Sequence, residues 1–151
     1  MLSNNQKNIA AIIHLSTFSQ FFIPFGNFIA PLILWTLNKD KSDFVDSHGK
    51  QAINFQLSLL IYGIALVCIA APIFFLSFFD SFPVEHIVNH RHVYIDQPDF
   101  HEWSGIIIFG IMAAIVALAI FVIEVVLIIT ATTKANNGEL YKYPFTIQFL
   151  K

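Results

Sequence analysis

The sequence predicts an all-α polytopic membrane protein of four helices: a short broken N-terminal hairpin, two long transmembrane helices, and an extended C-terminal tail. Three observations predict it. The 151-residue chain is 56% apolar and only 12% charged, where soluble domains carry about 25% charged residues. Two runs are long and apolar enough to cross a bilayer. Seven basic residues (Lys7, Lys39, Lys41, Lys50, Lys134, Lys142 and Lys151) fall where those runs gather them on one side. Only Arg91 lies in the other connecting segment, which instead carries Asp80, Glu85, Asp96, Asp99 and Glu102. Positive loops resist translocation, so a bias of this kind sets topology.

The first apolar region, Ile9 to Leu37, is too long for one ordinary span and too short for two with a turn. Pro24-Phe25-Gly26-Asn27 breaks it, because proline ends the preceding helix and Gly and Asn tolerate turn dihedrals. Two arrangements fit: one tilted helix continuing through the break, or two short helices, roughly 6–22 and 27–38, folded into a hairpin. The charges favour the hairpin, which brings Lys7 to the side shared by the other six lysines. A loop near 38–47 follows.

Leu57 to Phe79 is the next span. A polar, amide-rich lead-in over Gln51 to Gln56 extends the helix outward, and a kink is expected at Pro72. An external connecting segment occupies 80–103. Gly105 to Ile129 is the cleanest span and carries one charge, Glu124. In the tail, from about 134 to 151, Tyr141, Tyr143, Phe145, Ile147 and Phe149 alternate with mostly polar residues. That period of two predicts an extended segment with one aromatic face along the membrane interface. Trp35 and Trp103 are expected as interface anchors. The whole chain, 1–151, is read as a single integral membrane domain of a bacterial inner or plasma membrane, with both termini cytoplasmic. A cleaved leader is not expected, since the stretch before Pro24 lacks a small-x-small site.

The near-neutral net charge offers no electrostatic footprint for nucleic acid. Cys68, the single cysteine, sits in an apolar run and offers neither a disulfide framework nor metal-ligand spacing.

From His14 onward the residues resemble a known family. His14-Leu15, Ile23-Pro24-Phe25-Gly26-Asn27, Pro31, Trp35 and Lys39-Asp40-Lys41-Ser42 lead into Phe44-Val45-Asp46-Ser47-His48-Gly49-Lys50. Ala52 and Asn54-Phe55-Gln56 follow, and the tail adds Lys134-Ala135, Gly138-Glu139, Tyr141, Tyr143-Pro144 and Lys151. The pattern is similar to small bacterial membrane proteins grouped with the channel-like subunit of the chloroplast inner-envelope protein translocon. The resemblance covers nearly the whole chain apart from about 80–103. It implies four helices with both ends on one side, and a role near protein translocation or membrane insertion.

Ionisable groups inside a span are costly and usually face a bundle interior or an aqueous cavity. Glu124 and His14 fall at similar depth from the same side, so a His14–Glu124 pair would satisfy both. Asn54, Ser58 and Tyr62 are further polar candidates at that level. Such a pair reads either as a proton or substrate relay or, preferably, as a polar clamp between helices. Asp43, Asp46, His48 and Lys50 fall in the cytoplasmic loop. A metal or phosphate site is conceivable there, but capping of the next helix by Ser42, Asp46 or Ser47 is the preferred reading. Glu139 and Lys142 of the tail offer charges to pair with this loop. In the external segment His86 and His90 are spaced i, i+4, and His92 would supply a third imidazole to a zinc, nickel or copper ion. No complete metal motif accompanies them, and no cofactor is otherwise expected.

No nucleophile–base arrangement or phosphate loop is present, so the chain is not read as an enzyme. The expected function is association, with itself or with a larger membrane complex, as a translocation or insertion accessory whose solvent is lipid. Two alternatives are a small proton-coupled transporter or channel using Glu124 and His14, and an external metal or pH sensor using the histidines.

Overall fold

In the computed structural model the described residues are 2–81 and 100–151; at 77, 79–81 and 100–104 only the helical backbone is described. Four α-helices and no strand occur among them: α1 Asn4–Leu15, α2 Gly26–Thr36, α3 Asp43–Ser81 and α4 Phe100–Asn137. The all-α expectation holds, and so does the broken hairpin. The histidine-rich stretch with His86, His90 and His92 lies outside the described residues.

Each element begins for a local reason. Ser3 caps α1 in a reciprocal box with Gln6, which satisfies two free amides at once. The chain then tightens into a 3-10 turn, Ser16–Phe21, before reversing. Gly26 permits that reversal, because a Cβ there would lie 2.6 Å from the Ser19 backbone. Beside it, Phe25 adopts left-handed backbone (φ 60), a conformation that costs a bulky residue about 1–2 kcal/mol.

The predicted loop at 38–47 is shorter than expected. A single 3-10 turn, Lys39–Lys41, is followed at once by α3. Ser42 is the reason: its hydroxyl accepts the Val45 amide at 3.3 Å and its carbonyl the Asp46 amide, so the helix starts before the acids. Asp43, Asp46, His48 and Lys50 are therefore residues of the first turns of α3, not of a loop. Helix α3 continues through Pro72. Helix α4 ends at Gly138 (φ 80), where the amides of Gly138 and Glu139 turn back to the carbonyls of Ala135 and Lys134, a common helix stop.

The described chain forms two compact units. Unit 1 comprises residues 1–62 and 122–151; unit 2 comprises 63–121. Unit 1 holds the buried core. Ala10 and Ala11 pack with Phe44 and Ala135, Ile13 with Val45 and Ala52, and Phe55 with Ile128, Ala131 and Tyr143. In unit 2 the described side chains of α3 and α4 are apolar and largely exposed, with Phe74 packed on Phe109. Segments Asp43–Leu76 and Gly105–Asn137 are long and apolar enough to cross a membrane.

Candidate functional site

Unit 1 gathers its polar side chains into three connected sets, and α3 contributes to all of them. The first is a buried hydrogen-bonded chain. His14 of α1 and His48 of α3 meet at 2.8 Å, Nε2 to Nδ1, and the Tyr143 hydroxyl lies 3.0 Å from His14 Nδ1. All three side chains are at most 2% exposed. Proton counting orders the chain. If Tyr143 donates to His14 Nδ1, then His14 Nε2–H donates to His48 Nδ1, and one N–H, on His48 Nε2, is left without a partner. The reverse order would strand both the tyrosine O–H and an imidazole nitrogen. The first order leaves fewer buried groups unsatisfied, which is decisive where each costs about 1–3 kcal/mol. His48 Nε2 is indeed buried without a hydrogen bond. The Tyr143 ring stacks on Phe55 at 4.1 Å between centroids. Burial, reinforced by Tyr141 and Glu124, pushes the Tyr143 hydroxyl above its ordinary pKa; burial also raises Tyr141, against the pull of Lys134.

Tyr143→Phe keeps the stacking and removes one hydroxyl, leaving His14 Nδ1 unpartnered. The expected loss is about 1–2 kcal/mol, read as a lower thermal midpoint in detergent. The pH dependence has a definite sign. A raised folded pKa gives stability that is present below the unfolded value, near 10, and is lost as pH rises through the folded one. Wild type should therefore weaken above about pH 10 more steeply than Tyr143→Phe, and parallel curves would contradict the buried hydroxyl.

The second set surrounds Glu124. Its Oε1 accepts from Gln20 Nε2 at 3.3 Å and from Gln56 Nε2 at 3.4 Å, while Gln56 Oε1 accepts from Asn27 at 2.8 Å. The expected His14–Glu124 pair is not formed. Gln56 stands 13 residues into α3 and Glu124 13 residues before the end of α4, so they share a level. His14 pairs eight residues lower, with His48, and the 3-10 turn carries Gln20 up to the carboxylate instead.

The third set is a ladder on α3. Asn54, Ser58 and Tyr62 repeat every four residues and so lie on one helix face. Asn54 Nδ2 donates to Leu150 O at 2.9 Å, and its Oδ1 accepts the amides of Phe149 at 3.2 Å and Leu150 at 2.9 Å. Ser58 Oγ accepts the Ile147 amide at 2.9 Å, and the Tyr62 hydroxyl donates to Phe145 O at 2.7 Å. The tail therefore ascends to Tyr143, reverses at Pro144–Phe145 with Phe145 at φ 58, and descends along α3. This corrects the expectation of one continuous aromatic face. Tyr143 is buried, whereas Phe145, in the turn itself, is 89% exposed. The ladder has a physical purpose, because non-helical backbone beside apolar helices needs partners when water is scarce.

The other residues expected at a site fall elsewhere. Asp46 accepts the Trp35 indole at 2.8 Å and pairs with Lys50 at 2.6 Å, and Lys39 lies 5.7 Å from the Trp35 ring. Asp43 is exposed at the start of α3. Glu139 does not reach the 38–47 region but pairs with Lys134 of its own helix end. Among the described residues no group of three His, Cys, Asp or Glu side chains is placed to hold a metal ion. Gln20, Gln56 and Tyr143 are central to the site, yet sequence patterning does not single them out as its members. The amide-rich lead-in Gln51–Gln56 is the available signal for Gln56.

The chain belongs to the magnetosome magnetite crystal formation protein family, whose model matches residues 5–150. No curated protein and no solved structure matches it. The family match overturns the resemblance to the translocon subunit. The matched range includes the block from Pro24 to Gln56 and the tail. The translocation accessory role falls with it, and the transporter and external-sensor alternatives gain no support.

Proposed function

We propose that this member of the magnetosome magnetite crystal formation protein family is an integral protein of the magnetosome membrane that takes part in crystal formation by association rather than catalysis. The family match over residues 5–150 carries the reading. Two apolar helices support residence in lipid. The buried polar groups described in unit 1 contact one another or the tail backbone, an arrangement suited to holding a shape. The association is with further copies of the chain or with a larger membrane complex. The lysine distribution supports placing both termini on the cytoplasmic side.

Deleting the gene in a magnetite-forming bacterium is expected to shift the crystal size distribution in electron micrographs, and the wild-type copy to restore it. An unchanged distribution, with a fluorescent fusion that does not co-localise with the crystals, would falsify the reading.

A further inference from the structure

The last stretch of the tail, Phe145 to Leu150, is a strap that gives α3 one edge and leaves the other bare. Tyr62, Ser58 and Asn54 bond the backbones of Phe145, Ile147 and Phe149 in turn. On the helix these side chains stand four residues, and so about 6 Å, apart. Two strap residues therefore advance about 6 Å, the rise of extended chain. In such a chain successive residues aim their N–H and C=O groups at opposite edges. Phe145, Ile147 and Phe149 face α3, so Thr146 and Gln148 turn their backbone groups to the far edge. Among the described residues, the backbones of Thr146 and Gln148 make no hydrogen bond.

This edge has the makings of a pairing surface. Tyr62, Ser58 and Asn54 lie within a segment long and apolar enough to cross a membrane, and an open strand edge is not tolerated in lipid. Exposed edges are normally blunted by lysine, proline or a bulge. The strap has neither: its sequence is Phe-Thr-Ile-Gln-Phe-Leu, without charge or proline and dominated by aromatic and β-branched residues. Short uncharged segments of this kind pair readily with copies of themselves.

We propose that the straps of two copies pair edge to edge, antiparallel, across a twofold axis at Ile147. The partner is a second copy of this chain, and the proposal rests on the reading of the protein as one that acts by association. The free groups set the register. With the two Ile147 residues opposite each other, Thr146 of each chain faces Gln148 of the other. Each of these pairs exchanges two N–H···O bonds, so every bare backbone group of Thr146 and Gln148 is used. A slip of one residue would instead set them against backbone already bonded to α3. The contact uses the same patch on both copies and so closes as a dimer.

Disulfide formation between full-length chains tests the register. Ile147→Cys and Phe149→Cys, each with Cys68→Ala, are reconstituted separately in dilute phosphatidylethanolamine–phosphatidylglycerol liposomes and oxidised with copper phenanthroline. Residues opposite each other at a non-hydrogen-bonded position have Cα atoms about 4.5 Å apart, within disulfide reach. The two copies of residue 149 would be about 13 Å apart along the strands, beyond it. Ile147→Cys is therefore expected to cross-link about tenfold faster than Phe149→Cys. Adding Gln148→Pro removes an amide that α3 does not use, and should bring the Ile147→Cys rate down to that of Phe149→Cys. Slow hydrogen exchange at the Phe149 and Leu150 amides would show that the strap stays on α3 in this variant. Equal rates at the two cysteine positions overturn the proposal, as does undiminished cross-linking with Gln148→Pro. The comparison of the two positions is decisive even where the proline variant fails to fold. Dimers counted by single-molecule photobleaching, without the fast Ile147→Cys cross-link, overturn strap pairing but leave association standing. Monomers alone overturn strap pairing and self-association together.

Discussion

Asn54→Leu should free the C-terminal strap from α3. Leucine keeps asparagine's branch point and number of side-chain heavy atoms, but the three hydrogen bonds to Phe149 and Leu150 are lost. Asn54 is 1% exposed, and the tail amides it serves gain no new protein partner. Leaving buried backbone groups unsatisfied costs about 1–3 kcal/mol apiece, so about 3 kcal/mol is expected for the strap as a unit. That corresponds to about a 100-fold rise in its opening. Hydrogen exchange at the Phe149 and Leu150 amides in micelles reads this directly, and trypsin cleavage after Lys142 gives a second readout. Exchange as slow as in wild type would show that the ladder does not hold the tail.

Gly49→Ala is the other large effect. A Cβ at this position would lie 2.1 Å from Cδ1 and 2.4 Å from Cγ of Trp35. The indole cannot simply swing away, because its Nε1 donates to Asp46 and its ring packs against the Ile13–Val45–Ala52 cluster. Either α2 moves off α3 or the indole leaves its bond, at about 2–3 kcal/mol. Thermal unfolding in detergent should show the loss. Trp35→Leu alone should also destabilise, but the double variant should be more stable than the sum of the two changes, as contacting residues are coupled. A Gly49→Ala protein that melts with wild type would refute the close approach of α2 and α3.

Individual residues show why the site is hard to read from sequence. Glu124 and His14 are each recognisable as ionisable groups in apolar surroundings, and their distances from the helix ends put them at similar depth. Depth does not give azimuth. Helix α1 narrows to a 3-10 turn after Leu15, which has 3.0 residues per turn and a longer rise, and this moves Gln20 rather than His14 to the carboxylate. The tail misleads for a related reason. Its alternation is real through Tyr143, but Pro144 and the left-handed Phe145 reverse it, and a reversal set by three side chains on a distant helix leaves no periodic trace. The expected loop at 38–47 differs for a more local reason. Ser42 is one of several possible caps in that stretch, and its use starts α3 several residues earlier than the apolar pattern does.

The family match over residues 5–150 overturns the resemblance to the translocon subunit. A fold legible in the sequence does not fix what is done with it.

What the sequence determined by itself was everything that depends on contact with lipid or on the nearest few residues. That covers two long apolar helices, a break at Pro24–Asn27 that folds the first region back, and the confinement of the lysines to residues 1–62 and 122–151. These follow from hydrophobicity, from local dihedral limits and from the sign of charge. Tertiary structure decided the partners: His14 with His48 and Tyr143, Glu124 with Gln20 and Gln56, and Asn54, Ser58 and Tyr62 with the tail backbone. Each of those pairings joins residues between 34 and 129 positions apart. Which faces meet at that separation is set by packing of the whole unit, because hydrogen bonds have direction and a helix turned by one residue presents a different side chain.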